Sequence, residues 1–289
     1  MMRIKDKSVK EVEELVETAL SVGINAFDLA DIYGRGRCEE LLGLVLKNRP
    51  DLREKMWIQS KCGIRIEEFT YFDFSKDYII KSVDGILQRL KIDHLDSLLL
   101  HRPDALMESD QVAEAFDLLY KQGKVRDFGV SNQNPMMMEL LKKDVKQPLA
   151  VNQLQLSAAF TPGFGSGFHV NMEDNQAAMR DGSIFEYCKL HDVVIQAWSV
   201  LQFGYFKGNF VGNEKFQALN QVLDRLAFKY GVTPSTIAIS WILRYPAKMQ
   251  AVVGTTNPKH LREVSQAANF SLTRKEWYEI YLSAGNDLP

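Results

Sequence analysis

Three short apolar runs end in residues of unlike chemistry: Asp28 follows INAF, Lys61 closes WIQSK and His101 closes SLLLH. Tyr33 comes five positions after Asp28, in a loop closed by Gly34 and Gly36. An aspartate cannot stay charged and unpaired against an apolar wall, so a cation must reach it from another strand end. Lys61 is that cation. A buried Lys-Asp pair beside a phenol holds Tyr33 in a state that gives or takes a proton more readily than a free tyrosine, and His101 aims a further donor at the same point. Singly, each residue also has a plainer reading: a strand-end Asp as a cap, a Lys as a solvated end, a His as a satisfied core residue. Taking the end of every strand in turn gives Asp28, Lys61, His101, Ser131 with Asn132, Gln153, Trp198 and Gly254. That set is too polar for a core layer, and in a barrel it converges on one face.

The elements that must position these residues alternate along the chain. After the Ser8 cap, Val9, Val12, Leu15, Val16, Ala19 and Leu20 mark an amphipathic helix that runs to about Val22 and stops at Gly23. The strand holding Asp28 follows, then helix 38–48, strand 57–61, helix 76–90, strand 97–101, helix 110–122 and strand 125–131. Beyond a helix opened by Asn134 and Pro135 come strand 150–155, helix 183–191, strand 193–198, helices 216–230 and 234–244, strand 251–254 and helix 258–268. These seven βα units of short, even period predict an all-parallel sheet closed into a (β/α)8 TIM barrel forming one domain over 1–289. No GxGxxG follows a strand, which counts against a doubly wound dinucleotide fold. Since Met1-Met2-Arg3-Ile4 stands immediately ahead of the first helix, the first barrel strand is expected to lie mostly before residue 1. The tail from Ser271 opens with a capping box, Thr273 to Glu276, and places Trp277, Ile280 and Tyr281 on one apolar side, so a helix packed outside the barrel is expected. The loops 156–182 and 199–215 follow strands and are expected over the same barrel mouth. Within the first, TPGFGSGFH at 161–169 reads as a mobile segment, with Phe164 and Phe168 walling a substrate pocket or tucked onto the barrel rim.

Composition narrows the partners. With 35 Lys+Arg against 37 Asp+Glu, and no block of like charge, broad attraction to nucleic acid or to a membrane surface is not expected. Cys38, Cys62 and Cys188 are widely spaced and lack a CxxC pair, which argues against a disulfide framework and a thiolate metal site and fits a reducing cytoplasm. No long apolar stretch suggests a membrane span. A soluble, cytoplasmic monomer or weak homo-oligomer acting on small molecules is expected.

FDLADIYG, IQSKCG, LLLHRPD, GKVRDFGVSN, VNQLQLS, QAWSVL and VVGTTNP, in this order and spacing over nearly the whole chain, resemble the aldo-keto reductases. HRPD, GKVRDFGVSN and the tail LTRKEWYEI look most like the bacterial YdhF-like branch. The resemblance implies an NAD(P)H-dependent reductase that passes hydride to an aldehyde or ketone and needs no metal. Asp28, Tyr33, Lys61 and His101 match the family's catalytic tetrad, with Tyr33 as general acid. By the same resemblance Ser131, Asn132 and Gln153 hold the nicotinamide carboxamide, Trp198 stacks on its ring, and Ser199 and Leu201 meet the pyrophosphate. Gly254, Thr255 and Thr256 precede the helix opened by Asn257 and Pro258, a seat for a phosphate. Here the pattern departs: where NADPH-specific members carry a Lys and an Arg, this chain has Gly254 and His260, with Lys259 and Arg262 nearby. NADP is the expected cofactor, with a modest preference for NADPH over NADH. Val264 stands where an Asn often contacts adenine, and the family's N-terminal hairpin is expected to be missing. Two other readings remain open: a nucleotide-binding regulatory member with slow turnover, and a Schiff-base lyase using Lys61 as nucleophile.

Overall fold

Ser8 starts the first helix through a reciprocal capping box: its hydroxyl accepts from the Glu11 N–H while the Glu11 carboxylate accepts from the Ser8 N–H. The computed structural model describes residues 1–67, 70–168, 175, 182–204 and 207–286. Two compact units are resolved, the first comprising Met1–Asn152 with Gly254–Pro258, the second Gln153–Val253 with Lys259–Pro289.

In the first unit, α1 (Val9–Ser21) buries Val12, Leu15, Val16 and Ala19, the stripe that a 3.6-residue period requires. Then come β1 (Ala26–Asp28), α2 (Arg37–Asn48) and β2 (Trp57–Cys62). A small antiparallel hairpin, β3 (Ile64–Ile66) and β4 (Thr70–Phe72), follows. The unit continues with α3 (Lys76–Leu90), β5 (Leu95–Leu100), α4 (Ser109–Lys121), β6 (Val125–Ser131), α5 (Pro135–Lys142) and the start of β7 (Leu149–Gln155). Sheet neighbours run β1-β2-β5-β6-β7. The register sets Asp28 beside Gln59 and Lys61 beside Leu99. β5 is buried at every position, as a strand covered on both faces must be. Gly129 of β6 allows the tight approach of β7, since a Cβ there would lie 2.6 Å from the Val151 carbonyl oxygen. Residues Met2–Ile4 form a short 3-10 turn with Ile4 buried.

In the second unit, the end of β7 neighbours β8 (Val194–Trp198), and β8 pairs in parallel with β9 (Met249–Ala251). Around them are α6 (Pro162–Phe168), α7 (Ile184–Leu190), α8 (Gln217–Tyr230), α9 (Pro234–Leu243), α10 (Pro258–Ser265, its first residue in the first unit) and α11 (Arg274–Ser283). The expected capping box of Thr273 and Glu276 starts α11. Glu276 also accepts from Lys229 at 2.6 Å and from the Tyr230 hydroxyl at 2.9 Å, which joins α11 to α8. Trp241 and Trp277 stack at 4.9 Å, and each indole N–H donates to the other residue's carbonyl at 3.0 Å.

Several expectations change. The strand expected at 251–254 is Met249–Ala251, so Gly254 lies beyond the strand end rather than at it. β7 ends at Gln155, as expected, which makes Gln153 an interior residue rather than the strand's last, and β2 runs one residue past Lys61. The part of 161–169 that is described forms helix α6 instead of a loop; residues 169–174 and 176–181 lie outside the described residues. Pro162 presets the first helical φ, and aromatic packing outweighs the low helix propensity of the glycines. Phe164, only 4% exposed, lies 4.7 Å from Phe185, 5.0 Å from Tyr245, 5.5 Å from Trp277 and 5.7 Å from Trp241, centroid to centroid. It fills an aromatic core rather than walling a pocket. Phe164→Ala should therefore lower the unfolding free energy by about 3–5 kcal/mol in urea denaturation, as truncation of a buried Phe does; a loss under about 1 kcal/mol would contradict the core assignment.

Candidate active site

β1 ends on Asp28 and β2 delivers Lys61, so neighbouring parallel strands bring the two together without any long loop. Lys61 Nζ donates to Asp28 Oδ1 at 2.6 Å and to the Leu29 carbonyl at 2.6 Å, and the Lys61 side chain is 0% exposed. Gln59, two residues earlier and hence on the same face of β2, donates to the same Asp28 oxygen at 2.8 Å. Ser97 on β5 in turn donates to Gln59 Oε1 at 2.9 Å, which fixes the orientation of the Gln59 amide. Tyr33 swings back over this pair, with its ring centroid 5.0 Å from Lys61 Nζ. His101, directly after β5, meets the Tyr33 ring edge-on at 5.8 Å and 81°. The residues expected to act together are thus brought together within the first unit.

The electrostatics follow from burial and nearby cations, Lys61 foremost. Burial disfavours the Asp28 carboxylate, but the Lys61 charge and the hydrogen bonds from Lys61 and Gln59 hold its carboxyl below the usual range. Burial likewise opposes the Lys61 ammonium, and Asp28 together with the Tyr33 phenol oxygen overcomes it, leaving Lys61 above its ordinary value. For Tyr33 burial prevails: the phenol is pushed up, with Lys61 and Arg102 pulling it down and Asp28 adding to the rise. Tyr33 is therefore a neutral O–H at physiological pH, kept less reluctant by Lys61 than burial alone would make it. His101, 8% exposed, is driven to about 3 by burial first and then by the Lys61 and Arg102 charges. Its Nδ1 is buried without a hydrogen-bond partner. An oxygen placed against Tyr33 and His101 meets a phenol backed by a cation and a neutral imidazole.

The remaining candidates are held as follows. Ser131 ends β6 and is buried; Asn132, at φ 57°, donates from its amide to Ser131 Oγ at 2.8 Å. Thr255 Oγ1 accepts from the Asn257 N–H at 3.1 Å in the turn before α10, with Thr256 between them. A Cβ on Gly254 would lie 3.8 Å from the Arg3 guanidinium carbon. In the second unit, Gln153 donates to Gln196 at 3.0 Å, and Gln196 to Gln250 at 2.9 Å, a carboxamide row across three strands. Trp198 ends β8 half-buried. Ser199, at φ 54°, donates to Gln202 at 3.3 Å, and the Leu201 carbonyl accepts from Phe210 at 3.1 Å. His260 is exposed on α10. Among the described residues no group of His, Cys, Asp and Glu is arranged to hold a metal, and no helix is long and apolar enough to cross a membrane.

Sequence reasoning missed Gln59, Arg3 and two neighbouring buried carboxyls, Asp31 and Glu39. The period-two relation of Gln59 to Lys61 was a usable signal. Asp31, by contrast, reads as an ordinary acidic residue in a polar loop.

The depressed value of His101 makes a sharp prediction. A histidine buried as a neutral ring binds its proton less tightly folded than unfolded, so it withdraws stability as pH falls from about 6.5 toward about 3. Imidazole NMR should show His101 resonances unchanged between about pH 8 and 5, the range in which a free histidine titrates. A midpoint near 6.5 would contradict the burial argument.

Comparison with known proteins agrees with this geometry. Residues 1–281 match the model of the Aldo/keto reductase family. The chain is 35% identical to oxidoreductase YdhF of Escherichia coli, covering 98% of this chain and 90% of that protein. It is 32% identical to a 6-dehydroglucose reductase of Agrobacterium fabrum, covering 96% and 89%. The crystal structure of an aldo-keto reductase from Klebsiella pneumoniae in complex with NADPH superposes with a TM-score of 0.75 at 20% identity, covering 96% of this chain and 87% of that one, a likeness of fold. Alternating strands and helices, parallel pairing and these likenesses agree on the (β/α)8 barrel expected from the sequence. The chain belongs to the aldo/keto reductase family and is an oxidoreductase of that family.

Proposed function

We propose that the chain is an NADP-dependent reductase converting an aldehyde or ketone to the alcohol, with Tyr33 as general acid and 1–289 acting as one catalytic domain. The observation that carries this reading is the buried Lys61 ammonium, tied to Asp28 at 2.6 Å and standing 5.0 Å from the centre of the Tyr33 ring. NADPH, when bound, supplies the hydride that reaches the carbonyl carbon. As that C–H bond forms, the C=O π pair moves onto oxygen, which takes the proton from the Tyr33 hydroxyl. The Tyr33 oxygen is then left as a phenolate beside the Lys61 cation, which stabilises it until water returns a proton. His101, neutral at this pH, orients the carbonyl oxygen by donating a hydrogen bond.

The donor set suits a phosphorylated dinucleotide. In the first unit, Ser131 and Asn132 offer adjacent hydroxyl and amide groups of the kind a nicotinamide carboxamide takes; in the second, Gln153 has an amide and Trp198 a ring. Ser199 and Leu201 would meet the pyrophosphate. In the first unit, Thr255, Thr256 and the Arg3 guanidinium beside Gly254 offer hydroxyls and a cation to the 2'-phosphate. A modest preference for NADPH over NADH follows from this set. Schiff-base chemistry at Lys61 is disfavoured, because an attacking amine must be uncharged and reachable, whereas this one is sealed and held as the ammonium.

Tyr33→Phe keeps the ring and removes the hydroxyl, so single-turnover NADPH oxidation with a reactive aromatic aldehyde should slow at least about a hundredfold while NADPH affinity stays unchanged. Equal rates would remove Tyr33 from the acid role. Firm NADPH binding by wild type with negligible reduction of any carbonyl would point instead to a regulatory nucleotide-binding protein.

A further inference from the structure

Asp28, Gln59 and Ser97 stand in one row across three neighbouring strands: the register of β1 and β2 pairs Asp28 with Gln59, and that of β2 and β5 pairs Gln59 with Ser97. Cross-strand partners share a face of the sheet, so the three side chains lie side by side. Gln59 is 2% and Ser97 1% exposed. An amide and a hydroxyl buried so deeply cost stability unless their hydrogen bonds are made, and apolar side chains of similar size would fill the same space without that requirement. What the pair provides is a donor of fixed direction.

That direction is set from the far end of the row. The Trp57 indole N–H can only donate, and it donates to Ser97 Oγ at 3.3 Å. The Ser97 proton is left for Gln59 Oε1, at 2.9 Å, and the Nε2 end of Gln59 is turned to Asp28 Oδ1, at 2.8 Å. A flipped Gln59 amide would set its oxygen against the Asp28 carboxylate and forfeit the bond from the Ser97 hydroxyl.

Asp28 Oδ1 thus accepts from two side chains, Gln59 and, at 2.6 Å, Lys61. Lys61 has three N–H bonds: one goes to Asp28 and one to the Leu29 carbonyl, which leaves the third for Tyr33, whose ring centre lies 5.0 Å from Nζ. Asp28 works against proton release from Tyr33, since a carboxylate nearby opposes a second negative charge. Whatever part of the Asp28 charge Gln59 offsets, Lys61 need not, and the ammonium acts more fully on the phenol oxygen.

We propose that Gln59 is a positioning residue that acts through Asp28 and Lys61, and that Ser97 acts through Gln59: the row holds the Asp28 carboxylate in place and offsets its charge, so that Lys61 stabilises the Tyr33 phenolate as the proton leaves. The inference rests on the reductase reading, but its first test does not need turnover.

The test is alkaline titration by 13Cζ-tyrosine NMR on the full chain, with Tyr33 assigned by its loss in Tyr33→Phe. Gln59→Leu keeps most of the side-chain volume and removes the donor, so it should lower the Tyr33 ionisation constant about threefold, moving the midpoint upward. Ser97→Ala, a milder change that carries the same test by itself, should move it the same way by less. Added to Gln59→Leu it should do nothing more, because Ser97 reaches the ion pair only through Gln59. In parallel, kcat for aldehyde reduction should fall about threefold in Gln59→Leu with KM and NADPH affinity unchanged, the pattern left when an interaction made only in the transition state is lost. A lowered melting temperature with an unmoved Tyr33 midpoint in both variants would make the row a structural filler and overturn the proposal. Additive effects of Ser97→Ala and Gln59→Leu on the midpoint would overturn the relay through Gln59. If the midpoint moves as expected but wild type reduces no carbonyl, the coupling stands and the reductase reading falls.

Discussion

A lysine ammonium with none of its surface exposed is the constraint on which the site depends. Burying a charge is tolerated only when it is paired and its donors are filled, and breaking such a pair leaves an uncompensated charge in a dry interior. Lys61 meets the condition with the Asp28 carboxylate and the Leu29 carbonyl, each at 2.6 Å, and with the phenol oxygen of Tyr33. Those partners exist only if β1 lies beside β2 in the observed register, with Asp28 opposite Gln59, and if the chain after β1 turns back toward β2. The same pair that makes the burial of Lys61 acceptable also places a cation next to Tyr33. Position and electrostatics are one requirement here.

Burial acts on the neighbours in opposite directions, and the difference assigns their states. It raises the phenol of Tyr33 and depresses the imidazolium of His101, so both are neutral proton carriers rather than ions. Asp31, in the loop between Asp28 and Tyr33, is pushed up to about 7 by burial first and by its like-charged neighbour Glu39 second. These residues thus carry graded states from one main cause, removal of water, modulated by nearby charges.

Much of this was legible in the sequence where a residue type conflicted with its surroundings. Asp28 at the end of an apolar run demanded a cation, and Lys61 at the end of the next strand was available; the structure pairs them. A helix with a clear apolar stripe, Lys76–Leu90, was readable to the residue, and β6 matched at Val125–Ser131. The β3-β4 hairpin was not, because three-residue strands carrying Arg65, Tyr71 and Phe72 show no period long enough to detect. Helix α6 was hidden by glycines whose low propensity is overridden by the aromatic core around Phe164, a contact set assembled from α7, α9 and α11. Asp31 escaped notice because an acidic residue in a polar loop looks solvated until its oxygen is seen to be sealed.

The central claim is that one buried ion pair serves both the fold and the proton donor, and a double-mutant cycle separates the two roles. Lys61→Met and Asp28→Asn should each lower the unfolding free energy measured in urea, since either leaves the partner unpaired, by about 3–5 kcal/mol for a fully buried charge. Combined, Lys61→Met with Asp28→Asn removes both charges and should recover most of that stability, while single-turnover NADPH oxidation stays as slow as in Lys61→Met alone. Recovery of both stability and hydride transfer in the double variant would contradict the account, because a neutral pair would then serve Tyr33 as well as the ion pair does.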